Sequence, residues 1–283
     1  MLHGVKIAYN GNVYLKFYEL NLSPFDLTPN PRFLFHSVKH REAINHLLYG
    51  IRERKGFVQL TGEIGAGKTT LCRAFLEQLD ARYSTALLLT PVLDANELIK
   101  AIAAEFGLNT KGLDRLETLA VINDFLIRQV QLGKDCILII DEAQNFSDEL
   151  LEQVRQLSNV ETDDRKLLQI VLIGQPELRA RLNNPRLKQL RQRITVRYHL
   201  KALDRFETGQ YIKHRLSLAG ANGKPGFTGP AIWRVFRYSN GVPRLINAVC
   251  DKALLAGFVK QSTRINFSMV GRAIRELEGD IHS

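Results

Sequence analysis

One stretch limits what this chain can fold into more than any other: Gly62-Glu63-Ile64-Gly65-Ala66-Gly67-Lys68-Thr69, a complete G-x-x-x-x-G-K-T motif. An apolar run, Phe57-Val58-Gln59-Leu60-Thr61, precedes it, and Leu71-Cys72-Arg73-Ala74-Phe75-Leu76 follows it. A strand, a glycine loop and a helix in that order form the setting in which this motif cradles phosphate. Its glycines let backbone N–H groups turn inward around phosphate oxygens. Lys68 can reach the β- and γ-phosphates, and the Thr69 hydroxyl is placed to ligate magnesium. The helix that opens at Lys68 points its positive end at the same anion. Candidate ligand-binding residues are therefore Gly62, Glu63, Gly65, Ala66, Gly67, Lys68, Thr69 and Thr70.

Downstream, strands and helices alternate. Strands are expected at 57–61, 85–89, 136–140, 167–173 and 194–200, and helices over 40–51, from Asp94, over 118–132 and over 148–157 with Ser147 as cap. The run Cys136-Ile137-Leu138-Ile139-Ile140 is apolar throughout, as a buried parallel strand is, and it ends in Asp141-Glu142. An acidic pair there, beside a phosphate loop, is the Walker B arrangement, with Asp141 holding magnesium and Glu142 polarising the attacking water. The fourth strand delivers Gly174-Gln175 to the same edge, making Gln175 a sensor candidate or a plain turn residue. The whole predicts an α/β fold, a three-layer αβα parallel sheet. From Asp204 the strand signal stops, and helices are expected at 204–219, 229–238, 243–257 and 268–278 in a small all-helical lid. The expected domains are 17–203 as core with an N-terminal strap and 204–283 as lid, after a tail of residues 1–16 that carries no readable pattern.

The strap, FYELNLSPFDLTPNPRFLF from Phe17, has prolines that forbid regular helix, and its aromatics either pack or cover an adenine. Trp233 is expected in the core beside Ile232, Val235 and Phe236. Cys72, Cys136 and Cys250 lie in apolar stretches without metal-ligand spacing, which fits a reducing compartment. No apolar run approaches the roughly 20 residues that cross a bilayer. Charge divides unevenly: residues 179–283 carry 20 Lys+Arg against 6 Asp+Glu, and 179–201 hold eight basic residues and no acidic one. That stretch is a solvated face, a face toward a neighbouring copy's acidic side, or a weak contact for DNA or anionic membrane.

The strap, HREAINHLLYGI, GEIGAGKTTL, LIIDEAQNFSDELLEQVRQLSN, LIGQPELRARL, LRQRI and SNGVPRLIN, in that order, resemble the AAA+ ATPases typified by general secretion pathway protein A, which are related to pilus-biogenesis ATPases and transposition regulators. The resemblance implies ATP hydrolysis with magnesium and a homo-oligomer, ring or filament, in which one subunit's arginine completes its neighbour's site. Gln175 matches the first sensor, Arg193 the arginine finger with Arg191 as runner-up, and Arg244 the second sensor. Some members continue into a transmembrane helix and a peptidoglycan-binding domain. This sequence stops at Ser283 with neither, so a cytoplasmic protein, peripheral at the inner membrane and serving secretion, pilus or polysaccharide-export machinery, is the expectation. The alternative is an ATP-switched DNA-binding regulator of the transposition type.

Overall fold

Five strands, β1 (Phe57–Gly62), β2 (Tyr83–Leu88), β3 (Asp135–Ile140), β4 (Leu168–Gly174) and β5 (Ile194–Leu200), form one sheet in the computed structural model, which describes residues 13–28, 31–89, 94–160 and 166–279. Every pairing is parallel and the order is β2-β3-β4-β1-β5. Parallel neighbours need crossovers, so helices cover both faces and the central strands are buried on both sides. On one face the helices Ala95–Glu105, Arg115–Gln131 and Asp148–Leu157 bring Leu98, Ile102, Ile122, Leu126, Leu151 and Val154 against Leu138, Ile140, Ile170 and Leu172. On the other, Leu47 and Ile51 of Val38–Arg52 and Leu71 and Phe75 of Lys68–Leu76 are fully buried. The expected three-layer sheet is what forms.

Local chemistry sets the helix starts. Asp94 accepts from the N–H groups of Asn96 and Glu97, and Ser147 accepts from that of Leu150. Asp114 and Glu117 make a reciprocal capping box, so Arg115–Gln131 begins before the expected 118.

The chain divides into two units, Val38–Lys201 and a second made of Met1–Ser37 with Ala202–Ser283. The strap therefore belongs with the helical segment and not with the core, a correction to the expected boundary. Its proline-broken backbone leaves carbonyls without regular partners, and the buried guanidinium of Arg215 takes them: Nε donates to Pro24 O and Nη2 to Asp26 O at 3.3 Å. Nη1 donates to Tyr211 OH at 2.8 Å, and the Phe33 ring lies 4.6 Å under the same cation. Phe25 is buried, edge-on to Phe227. Residues 1–12 of the expected tail lie outside the described residues, but Val13–Tyr18 is helical. Tyr14 OH donates to Asp251 Oδ1, and Tyr18 OH to Leu254 O at 2.9 Å.

Helices Arg205–Leu218, Gly229–Ser239, Pro243–Val259 and Phe267–Glu278 make the body of this unit. Two further expectations need correction. A two-stranded parallel pair, β6 (Gly226–Phe227) with β7 (Arg264–Ile265), interrupts the helices. Each strand is two residues long, too short for any periodicity. Trp233 is 40 % exposed rather than in the core, stacked on Phe267 with the Arg237 guanidinium over its ring. Among the described residues no helix is long and apolar enough to cross a membrane.

Candidate nucleotide-binding site

Because β1, β3 and β4 run parallel, their carboxyl ends open on one edge. Thr61 pairs with Gly174, and Ile140 with Leu172. The glycine loop, Asp141-Glu142 and Gln175 therefore leave the sheet side by side. In the loop Gly65 has φ 76° and Gly67 φ 93°, values that a side chain would resist. Gly62 passes so close to β5 that a Cβ there would stand 2.9 Å from Leu200 O.

Lys68 begins the following helix and is 5 % exposed. Its Nζ donates to Gly62 O at 2.8 Å and Glu63 O at 3.1 Å, which holds the ammonium inside the loop with one proton left for a phosphate oxygen. Burial pulls Lys68 below the ordinary lysine range, while Glu142, Asp141 and Glu63 pull it back. A further anion at the loop would return to this cation the partner that burial removed. Thr69 Oγ1 donates to Asp141 Oδ2 at 2.7 Å, and Asp141 Oδ1 accepts the Glu142 N–H at 2.9 Å.

Glu142 sits in the left-handed region, φ 52° and ψ 36°, a conformation that non-glycine residues hold only where the surroundings impose it. Gln175 Nε2 donates to Glu142 Oε2 at 3.1 Å. The sensor candidate and the acidic pair are thus in direct contact. Two residues here escaped the sequence reading. Gln144 Nε2 donates to the same Glu142 Oε2 at 2.5 Å, and Gln144 Oε1 accepts the Gln175 N–H at 2.9 Å. His40, buried in the first turn of Val38–Arg52, places Nε2 3.5 Å from where a Cβ on Gly67 would be. No motif spacing marks either residue; a polar side chain two positions past the acidic pair was the one available hint of Gln144.

Magnesium is the ion that the motif implies. Hard oxygens from Thr69 and Asp141 suit it, since magnesium binds through one or two protein oxygens together with substrate phosphates and water. Among the described residues no group of three or more His, Cys, Asp and Glu forms a cage for a metal.

Arg193 is not part of this cluster. It ends the short helix Lys188–Arg193, before Ile194, which pairs with Phe57 at the opposite end of β1, roughly 17 Å from Gly62 at about 3.3 Å per residue. Its Nη1 donates to Ser158 Oγ at 2.8 Å and to Arg155 O at 3.4 Å, at the carboxyl end of Asp148–Leu157. Arg191 donates to Asn183 Oδ1 at 3.3 Å. Arg244 is exposed in the first turn of Pro243–Val259, in the helical unit. In the basic stretch, Arg179, Arg186, Lys188, Arg197 and Lys201 are all exposed.

Residues 51–182 match the AAA domain family. Over 270 residues, 94 % of its length, the chain is 44 % identical to general secretion pathway protein A of Aeromonas hydrophila, and it spans about half (49 %) of that relative. Among solved structures, the Aeropyrum pernix ORC2 protein in its ADPNP–ADP complexes aligns with TM-score 0.66 at 16 % identity, covering 93 % of this chain and 75 % of that one. Cdc6p of Pyrobaculum aerophilum aligns with TM-score 0.66 at 17 % identity over 90 % of this chain and 70 % of its own. Drosophila ORC bound to DNA aligns with TM-score 0.66 at 16 % identity over 100 % and 70 %. At such identities these likenesses speak for fold alone. With the phosphate loop and the sheet order, they give this chain the P-loop fold, carrying an AAA domain over residues 51–182 and similar over nearly its whole length to general secretion pathway protein A.

Proposed function

We propose that the protein hydrolyses ATP with magnesium as an AAA+ oligomer serving a secretion, pilus or polysaccharide-export assembly. One observation carries the hydrolysis: the Thr69–Asp141 contact places the loop's hydroxyl and the first acidic residue together, while Glu142, one residue on, is held by two amides at the same sheet edge. The loop N–H groups and Lys68 bind and orient the β- and γ-phosphates. Thr69 and Asp141 would hold magnesium, whose charge supplies stabilisation of the phosphate oxygens as the β–γ bond breaks. Glu142 keeps both amide donors on Oε2, which leaves Oε1 to accept a hydrogen bond from the attacking water. Gln175 reaches between that carboxylate and the γ-phosphate. Arg244 is assigned to the nucleotide as second sensor, and Arg193 to a neighbouring subunit's phosphate.

The secretion setting rests on the 44 % identity to the Aeromonas protein. A location in the cytoplasm, peripheral at the inner membrane, belongs to the same proposal. A second reading, an ATP-switched DNA-binding regulator, is favoured by the exposed cations Arg179, Arg186, Lys188, Arg197 and Lys201. The deciding experiment compares Lys68→Ala with Glu142→Gln. Lys68→Ala is expected to lose ATP binding, because Lys68 meets phosphate in the ground state. Glu142→Gln is expected to bind ATP and stall. Equal ATP affinity in wild type and Lys68→Ala, or undiminished turnover in Glu142→Gln, would sink the assignment.

A further inference from the structure

Gln144 stands in a closed circuit. Its Nε2 meets Glu142 Oε2 at 2.5 Å, its Oε1 meets the backbone N–H of Gln175 at 2.9 Å, and the Gln175 side chain returns to Glu142 Oε2 at 3.1 Å. Each contact fixes the next. An amide has one accepting and one donating end, so turning the Gln144 amide over would set oxygen against carboxylate and NH2 against N–H. The strand chemistry supports the same orientation. Gly174 ends β4 directly before Gln175, and a Cβ there would stand 2.8 Å from Gln144 Oε1 and 2.8 Å from Leu178 Cδ2. A side chain at 174 would push the amide away, and glycine leaves the approach open. Glu142 itself is in a left-handed conformation that its own preferences oppose, so outside contacts have to hold it. The Ala143–Asn145 turn, which carries Gln144, is where those contacts start.

We propose that Gln144 is a positioning residue for hydrolysis, joining the water-polarising carboxylate of Glu142 to the sensor Gln175 so that the two hold and shift together. The proposal rests on the reading of Glu142 and Gln175 given above. The Gln144 amide is engaged at both ends, by the Glu142 carboxylate and by the Gln175 N–H. Its effect passes through the direction in which Glu142 Oε1 is aimed, and a small misdirection of a reacting group is costly in rate while leaving binding alone. Nucleotide affinity rests on the loop backbone and Lys68, none of which Gln144 contacts. A general structural pin would not separate the two quantities in this way.

The test uses the full chain, with ATP affinity, KM and single-turnover rate measured for wild type, Gln144→Ala, Gln175→Ala and the double variant. Gln144→Ala is expected to lower the rate about 10- to 100-fold, the range seen when an orienting neighbour is removed. KM and ATP affinity should stay within about twofold of wild type. Because the residues act as one circuit, the double variant should be little slower than the slower single variant, rather than showing the product of the two losses. In the Glu142→Gln background, Gln144→Ala should change nothing further. Gln144→Met, of similar length without the amide, serves as the second variant, and thermal melting reports folding. A Gln144→Ala rate within twofold of wild type, fully multiplicative losses in the double variant, or unfolding of both Gln144 variants would each overturn the positioning role. If wild type shows no turnover, or Glu142→Gln is as fast as wild type, the reading of Glu142 has failed instead, and the two failures are told apart.

Discussion

Thr69 Oγ1 donates to Asp141 Oδ2 across 2.7 Å and so ties the first turn of the phosphate-loop helix to the end of β3. The two residues are 72 positions apart in the chain, and Asp141 is further fixed by its own N–H, which reaches Leu88 O of β2 at 3.0 Å. Two oxygens that meet this closely share one small cation more readily than they repel a phosphate. Asp141→Asn keeps the shape and removes the charge. Its half-saturating magnesium concentration for turnover is expected to rise about 10- to 100-fold, while nucleotide binding without magnesium stays near wild type. A magnesium titration at fixed ATP checks this, and an unchanged midpoint would remove Asp141 from the metal site.

Among the described residues Arg193 hydrogen-bonds to neutral groups, the Ser158 hydroxyl and the Arg155 carbonyl, with the Glu152 carboxylate near enough to feel its charge. A phosphate offers a guanidinium far more, so a neighbouring subunit's nucleotide can draw it away from that cap. Arg193→Ala and Lys68→Ala proteins, each inactive alone, are expected to recover partial turnover when mixed, because some interfaces then pair an intact arginine with an intact loop. Co-assembly without recovery, with assembly read by light scattering, would move the assignment to Arg191.

The exposed cations at Arg179, Arg186, Lys188, Arg197 and Lys201 set up a measurement on DNA. Binding that uses them should weaken with salt at a slope of about −0.9 for each phosphate neutralised. Weak binding without sequence preference is the expected result. Nanomolar, ATP-dependent binding at physiological salt would promote the DNA-regulator reading over secretion.

Tyr14 and Asp251 give a pH prediction. Burial lifts the Asp251 carboxyl above its ordinary range, and the Tyr14 hydrogen bond offsets only part of that. A carboxyl whose folded pKa exceeds its unfolded value, about 3.9, binds protons better in the native state. Its contribution to stability is therefore fully present below that unfolded value and declines as pH rises through the folded one. Asp251→Asn, which can still accept from Tyr14 OH, should flatten the fall of stability above about pH 4. Tyr14→Phe leaves the carboxylate without its donor and should cost about 1–3 kcal/mol at pH 7, less at pH 4. Urea melts at the two pH values distinguish these outcomes, and equal losses at both would detach the pair from the pH dependence.

What could be read from the chain was what depends on near neighbours. The loop, the Asp141-Glu142 pair and the Ser147 cap each follow from spacing within a few residues, and the structure places them as spacing demands. The partners of Phe25 and Phe33 could not be read that way, because Phe227 and Arg215 lie 202 and 182 residues on. Gln144 stayed hidden for a related reason. Its role depends on β3 and β4 being neighbours in the sheet, which brings Gln175 opposite it across 31 positions of sequence. Trp233 misled because aromatic and aliphatic neighbours in sequence suggest burial, whereas stacking on Phe267 shelters the ring while leaving it at the surface.

The second unit is assembled from two stretches, one ending at Ser37 and the other starting at Ala202. On a ribosome that gap is a delay. The Val38–Lys201 unit has all its strands once β5 is made, so it can close while synthesis continues. Tyr14, Tyr18 and Phe25 must meanwhile wait for helices that run to Glu278, 78 residues beyond Leu200, on the order of 4–16 s at about 5–20 residues per second. During that interval the newborn chain carries a closed Val38–Lys201 unit and, ahead of it, aromatic side chains with nothing yet to cover them, which makes the segment before Ser37 the natural client of a chaperone.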